Sequence, residues 1–195
     1  CMHGVNNLKA DTLKGQILLN LDNETEGEFV IGSASGVDVA AELTYTPEAV
    51  SADKKAVKIA VSGLKGGHSG LEINEGRANA NKLLANIAKE LLGAGYTLAS
   101  WEGGDMRNAI PSRGNIVVAA PADKVAEVKT TVSKWEKIYQ SEYNGIEDGL
   151  QVSATDTDTP TEAVPMTVAQ NITKAVLATA VGPYRFIPHM PSIVE

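Results

Sequence analysis

The chain has 195 residues, of which 43% are hydrophobic, 21% charged and only 5% aromatic, a composition that suits one globular domain or one and a half. Its formal net charge of −7 excludes a nucleic-acid binder, which needs a basic face; the 17 Lys and Arg are scattered, with no run longer than Lys54-Lys55. No apolar stretch is long enough to span a bilayer, and Cys1-Met2-His3-Gly4 has neither the charged nor the apolar region of a secretory leader, so no membrane partner is expected. The single cysteine, Cys1, rules out an internal disulfide framework and fits a cytoplasmic protein. A start at Cys rather than Met predicts a piece of a longer chain.

Ile17-Leu18-Leu19-Asn20-Leu21-Asp22 is a short continuous apolar run ending in an acid. It predicts a strand buried on both faces, as in a parallel sheet. Later segments differ in kind. Val37, Val39, Ala41, Leu43 and Tyr45 alternate with Asp38, Ala40, Glu42 and Thr44, and Val57, Ile59 and Val61 alternate with Lys58, Ala60 and Ser62. Each pattern predicts a strand with one wet face, as in an antiparallel sheet covered on one side. The change of pattern places a domain boundary within 23–28.

Leu83, Leu84, Ile87, Ala88, Leu91 and Leu92 form one stripe and predict a helix over 76–92, ended by Gly93 and Gly95. Val125, Val128, Val132, Trp135 and Tyr139 predict a second over 122–143, with Asp123 in its first turn, where the macrodipole favours an anion. Strands are expected at 96–101, 115–120 and 150–154, and 155–160 reads as a polar loop. Strand, helix, strand, strand, helix, strand is the split βαβ plan, an α+β class. A weaker helix is predicted over 167–181. The tail from Gly182, with Pro183, Pro188 and Pro191, predicts an extended, irregular end.

Three features have chemical potential. Gly63-Leu64-Lys65-Gly66-Gly67-His68-Ser69-Gly70 has four interior or flanking glycines beside one imidazole and joins a strand to a helix. Such a loop could cradle an anion at the helix start, or present His68 to a developing oxyanion; equally it could be a flexible link with a solvated His. It does not fit the phosphate-loop pattern. Gly103 to Pro111 predicts a tight connection between antiparallel strands; Asn108 tolerates left-handed backbone and can hold the turn, a role favoured over ligand binding, and Arg107 reads as a solvated charge sooner than a binding clamp. Asp22, at the carboxyl end of a buried-type strand, is either a metal ligand or a cap. His3 and His189 are isolated, and Glu24, Glu26 and Glu28 read as a solvated turn.

These pieces together resemble the aminoacylhistidine dipeptidases. Asn20-Leu21-Asp22 with Glu24 and Glu26-Gly27-Glu28, then Gly32 to Asp38, is similar to that family's junction between catalytic and lid domains. Gly63 to Gly70, with Asn79-Ala80-Asn81-Lys82-Leu83-Leu84 behind it, is similar to the lid loop and helix. Arg107-Asn108-Ala109-Ile110-Pro111 resembles the turn before a lid strand, and Met190 to Glu195 the return to the catalytic domain. The resemblance implies a ferredoxin-like split βαβ lid domain at 24–190, with an antiparallel sheet and helices on one face. It also implies a remnant of an α/β catalytic domain at 1–23 and a return at 191–195.

It implies, further, a zinc-dependent dipeptidase acting on Xaa-His dipeptides as a homodimer, with two zinc ions between the catalytic and lid domains. Most of the ligand set has no counterpart in this sequence. By matching position, Asp22 corresponds to a zinc ligand and His68 to a lid histidine that stabilises the oxyanion in the partner subunit's site. Asn108 corresponds to a substrate contact. Arg185 stands where some members carry an arginine for the substrate carboxylate, although the surrounding Phe186 to His189 departs from the pattern. An edge strand and the first helix are implied at the dimer interface. The isolated chain is expected to fold, to be inactive and not to hold zinc tightly. Two alternatives stay open: a non-catalytic dimerisation module, and a small-anion-binding module built on the glycine-rich loop.

Overall fold

The structure, a computed structural model, describes residues 3–21, 26–30 and 36–194. The chain divides into two units, 1–40 and 41–195. In the first, His3–Asn6 form one helical turn (α1), and no other helix or strand forms among its described residues. The strand expected from Ile17 is absent over the described residues 17–21: Ile17, Leu18, Leu19 and Leu21 are 83%, 88%, 80% and 91% exposed. A strand of this apolar type needs hydrogen-bonded neighbours on both sides, and none pairs with it here. The strand expected over 37–45 does not form either; its residues are exposed, and among the described residues no strand pairs with them. Alternation alone does not supply a partner.

The second unit carries the βαββαβ plan. Its main strands are β2 (Lys54–Ser62), β3 (Thr97–Gly103), β4 (Gly114–Pro121) and β5 (Gln151–Thr157), after a short β1 (Glu48–Ala49). The four-stranded sheet runs β3-β4-β2-β5, antiparallel throughout, with Ile59 opposite Ile116 on one side and Ala154 on the other. The polar segment from Thr155 is therefore strand as far as Thr157, because Ala56 and Val57 of β2 offer it a ladder. Val57, Ile59 and Val61 face inward and are buried, while Lys58 and Ser62 are exposed, as the period-2 pattern dictates.

Helices α2 (Ala80–Gly93) and α3 (Val125–Glu142) pack on the inward face through Leu84, Ile87, Leu91, Val128, Val132 and Tyr139. The α2 helix starts at Ala80 rather than Gly76. Gly76 is left-handed (φ 69°) and closes a 3-10 turn at Ile73–Glu75, after which Asn79 Oδ1 accepts from the Asn81 and Lys82 N–H groups at 3.0 and 3.3 Å. Tyr139 Oη donates to the Leu83 carbonyl at 2.8 Å, tying α3 to α2; burial pushes the phenol's pKa well up.

The short β6 (Glu162–Ala163) pairs with β1, and Val164 N–H donates to the Leu98 carbonyl at 2.9 Å beside β3. Next, α4 (Met166–Ala178) lies against α2. Lys82 Nζ caps its carboxyl end, donating to the Val176 and Leu177 carbonyls at 2.7 and 2.8 Å and to the Thr179 carbonyl. The tail is not irregular: β7 (Phe186–Ile187) and β8 (Met190–Val194) pair as a hairpin. Pro188 sits in its turn, and Pro191 is tolerated because a two-stranded ladder leaves each strand one side without backbone partners. Among the described residues, no helix is long and apolar enough to cross a membrane.

Candidate functional site

The glycine-rich loop leaves β2 at Gly63 and delivers the chain to α2. Gly63 has φ 75°, and a Cβ there would run into the Gly149 backbone carbonyl, so only glycine lets the loop cross the segment before β5. Glu147 lies just upstream of that crossing and is buried, 4% exposed. Its Oε2 accepts from the Lys65 N–H at 2.7 Å and its Oε1 from the Ala78 N–H at 2.9 Å. One carboxylate thus holds both ends of the loop, and its own charge is met by two amide donors.

The second glycine-rich connection comes alongside. Ser69 N–H donates to the Asn108 carbonyl at 2.9 Å, Ile110 N–H donates to the Gly67 carbonyl at 2.8 Å, and His68 forms an antiparallel bridge with Ala109. Ala80 N–H donates to the Pro111 carbonyl at 2.9 Å. His68 and Asn108 are therefore neighbours, both on the exposed rim of the domain. The connection between β3 and β4 is a long loop, 104–113, rather than a tight turn. Its left-handed residue is Gly104 (φ 87°), while Asn108 has ordinary negative φ and contributes its carbonyl. The docking against Gly67, His68 and Ser69 holds the loop in place of a local Asn turn.

The imidazole of His68 is held by its own following backbone. Nδ1 accepts from the N–H groups of Gly70 at 3.0 Å and Leu71 at 3.2 Å. A nitrogen that accepts carries no proton, so the neutral ring is protonated on Nε2. His68 is exposed, and this arrangement leaves the Nε2–H as its donor. Behind the ring, the Glu72 Oε2 accepts from the His68 N–H at 2.6 Å, and Glu72 Oε1 accepts from Arg77 Nη2 at 2.7 Å. The His68 N–H and then the Arg77 guanidinium hold the Glu72 carboxyl below the usual carboxylate range.

These bonds bear on the anion-binding alternative. The amides of Lys65, His68, Ser69, Gly70 and Leu71 all donate to protein acceptors, so the loop does not present them as a cradle for an anion.

A cleft of about 670 Å³ opens beside the loop, its lining including Ser69, Arg77, Ile110, Val181, Pro183 and Phe186. Arg185 is exposed in the segment leading into β7, next to Phe186 of that lining. Asp22 lies outside the described residues. Among the described residues, no group of three or more His, Cys, Asp or Glu side chains comes together to hold a metal ion. Glu72, Arg77 and Glu147 were not singled out as site residues from the sequence. Glu72 and Arg77 carried a local signal, an acid four positions after the histidine and a base five further on. Glu147 carried none, because it acts on amides 82 and 69 positions away.

Residues 59–147 match the family of the M20-type peptidase dimerisation domain. They are a peptidase dimerisation domain. The matched stretch begins inside β2 and ends at Glu147, so it contains His68, Glu72, Arg77 and Asn108. The chain is 41% identical over 145 residues to the cytosol non-specific dipeptidase of Escherichia coli (strain K12), an alignment covering 72% of this chain and 29% of that protein. Among solved structures, aminoacylhistidine dipeptidase from Vibrio alginolyticus superposes with a TM-score of 0.74 and 28% identity, over 77% of this chain and 31% of that one. The dimerisation domain is thus an α+β fold of the kind found in dipeptidases, and the chain spans less than a third of the length of these relatives.

Proposed function

We propose that this chain is the lid and dimerisation segment of a cytoplasmic, zinc-dependent dipeptidase that works as a homodimer on dipeptides, Xaa-His among them. The single observation that carries this reading is the His68 ring, whose Nδ1 is occupied by two backbone N–H groups so that an exposed Nε2–H remains to donate. In this reading, water attacks the peptide carbonyl of a substrate held by the partner subunit, and negative charge develops on the carbonyl oxygen. His68 donates its Nε2–H to that oxygen. The ring is already in the required tautomer, so no proton need be rearranged as charge appears. Removal of one such donor typically lowers kcat by roughly 10²–10³-fold.

Asn108, docked beside His68, and Arg185, beside the cleft, are proposed to bind the carboxyl-terminal end of the dipeptide, where an arginine fork suits a carboxylate. The domain scheme goes with this: 1–23 as part of a catalytic α/β domain, 24–190 as lid, 191–195 as the return. The exposed apolar run from Ile17 to Leu21 supports it, since such a run is covered in a parallel sheet. Two zinc ions, with Asp22 as one ligand, belong to the longer protein, where bound metal supplies an activated water. The chain alone is expected to be inactive.

The test is hydrolysis of an Xaa-His dipeptide by the full-length zinc-loaded enzyme, with wild type compared with His68→Ala. A fall in kcat of about a hundredfold or more, with the dimer intact by light scattering, supports the assignment. Equal kcat in both proteins removes His68 from the chemistry and leaves the domain as a scaffold.

A further inference from the structure

The bonds around His68 run through Glu72 to Arg77 and return to the backbone at Gly66. His68 and Glu72 bond each other twice: His68 N–H donates to Glu72 Oε2 at 2.6 Å, and Glu72 N–H donates to the His68 carbonyl at 3.1 Å. That pair closes the turn whose inner amides, Gly70 and Leu71, donate to His68 Nδ1. Glu72 is held in turn by Arg77 Nη2 at 2.7 Å, and Arg77 Nη1 donates to the Gly66 carbonyl at 2.6 Å, two residues before the histidine. Glu75 fixes the other edge of the guanidinium, accepting from Nε at 3.0 Å and Nη2 at 2.6 Å. Gly67 lies inside this ring: its φ is 120°, and a Cβ there would meet the Arg77 and Glu72 side chains. The imidazole is thus aimed by its own turn, and the turn is closed by Glu72 against Arg77.

We infer that Glu72 is a positioning residue: by joining the His68 backbone N–H to the Arg77 guanidinium, it selects the imidazole tautomer protonated on Nε2 and fixes the direction of that N–H. The inference rests on the reading of His68 as an oxyanion donor for its catalytic meaning, but the tautomer is a property of this chain. The ion pair is partly shielded, with the Arg77 side chain 15% exposed, and its bonds are charge-assisted, which suits it to hold a ring that must not turn. Glu72→Ala opens the turn and frees Nδ1. Glu72→Gln keeps an acceptor for the His68 N–H, loses the ion pair, and serves as the conservative variant.

The experiment has two arms. In the first, long-range proton–nitrogen NMR correlations are recorded on this 15N-labelled chain above the ordinary histidine pKa, with His68 assigned by its loss in His68→Ala. Wild type is expected to give the single pattern of an Nε2-protonated ring, Glu72→Ala the averaged pattern of both tautomers, and Glu72→Gln, which keeps the acceptor for the His68 N–H but loses the tie to Arg77, a pattern between the two. An unchanged His68 pattern in Glu72→Ala overturns the inference. In the second arm, the full-length enzyme is assayed. Glu72→Ala is expected to lower kcat by about tenfold or more with KM unchanged, and to have no further effect in a His68→Ala background. Equal losses in both backgrounds overturn the inference, because Glu72 would then act independently of His68. If Glu72→Ala scrambles the tautomer while His68→Ala leaves kcat intact, the positioning role stands and the oxyanion role of His68 falls.

Discussion

Two apolar segments of similar composition meet opposite fates. Val57, Ile59 and Val61 are 0%, 0% and 1% exposed, whereas Ile17, Leu18 and Leu19 are 80% exposed or more. The residue types hardly differ. The first segment has β4 on one side, β5 on the other and two helices above its inward face. Among the described residues, no strand pairs with the second. Hydrophobic character creates a demand for cover, and only long-range partners meet it. The same contrast separates 54–62 from 37–45: both alternate, but only the first finds strands of matching length to pair with.

Substitutions at paired positions can break this comparison. The largest effect is expected at Ile59→Ala, about 2–5 kcal/mol, because the vacated volume is enclosed by sheet and helices; urea unfolding followed by circular dichroism measures it. Glu147→Ala comes next. It leaves the Lys65 and Ala78 amides without their acceptor, and each orphaned amide costs about 1–3 kcal/mol if water does not reach it. Amide exchange at Lys65 and Ala78 should quicken together in that variant, and protection kept at either residue would show that the carboxylate does not hold both ends. Tyr139→Phe should remove about 0.5–1.5 kcal/mol by deleting the bond to Leu83, with no change in the urea m-value.

A smaller effect is expected from pH. Glu90 is held below the ordinary carboxylate range first by Lys134 and then by Trp135. A depressed acid stabilises the folded state at pH above its ordinary value of 4.5, and that contribution is lost as pH falls through the lower folded value. Wild type should therefore lose stability on acidification through that window, and Glu90→Gln should lose less; parallel pH curves for the two would remove Glu90 from the account. The smallest effect is expected at Leu18→Ala, within about 0.5 kcal/mol in this chain. The same substitution in a longer protein sharpens the comparison: there a loss of about 2–5 kcal/mol would mark a buried strand, and none would leave 17–21 as surface.

The βαββαβ plan was legible because each main element has its own local period. Val57-Ile59-Val61 alternates by two, and Leu84, Ile87 and Leu91 recur at helical spacing. Capping chemistry was partly legible: Asn79 belongs to the recognised motif, yet its role as the residue that starts α2 depends on Gly76 turning left-handed just before it. At the site, His68 and Asn108 stood out as unusual residues on glycine-rich connections. Their proximity did not, since no spacing in the sequence relates 67–69 to 108–110. Asp22 lies outside the described residues, and Arg185 stands in sequence between Pro183 and Phe186, whose segment the fold of the tail brings to the cleft beside Ser69 and Arg77.

The sequence by itself determined the main strands and helices of 54–178, though not the strand at 155–157, the short β6 or the start of α2 at Ala80, and it marked Gly63 to Gly70 as a loop that needs glycine. Those properties arise from steric limits on single residues and from the side-chain period of each element. Only the tertiary structure decided which apolar runs are covered, that Pro188 and Pro191 belong to a hairpin, and that Glu147 closes the histidine loop. It also decided which imidazole nitrogen of His68 accepts. Each of these depends on donors and acceptors brought together by chain closure, and a hydrogen bond between distant residues leaves no mark on the local pattern of either.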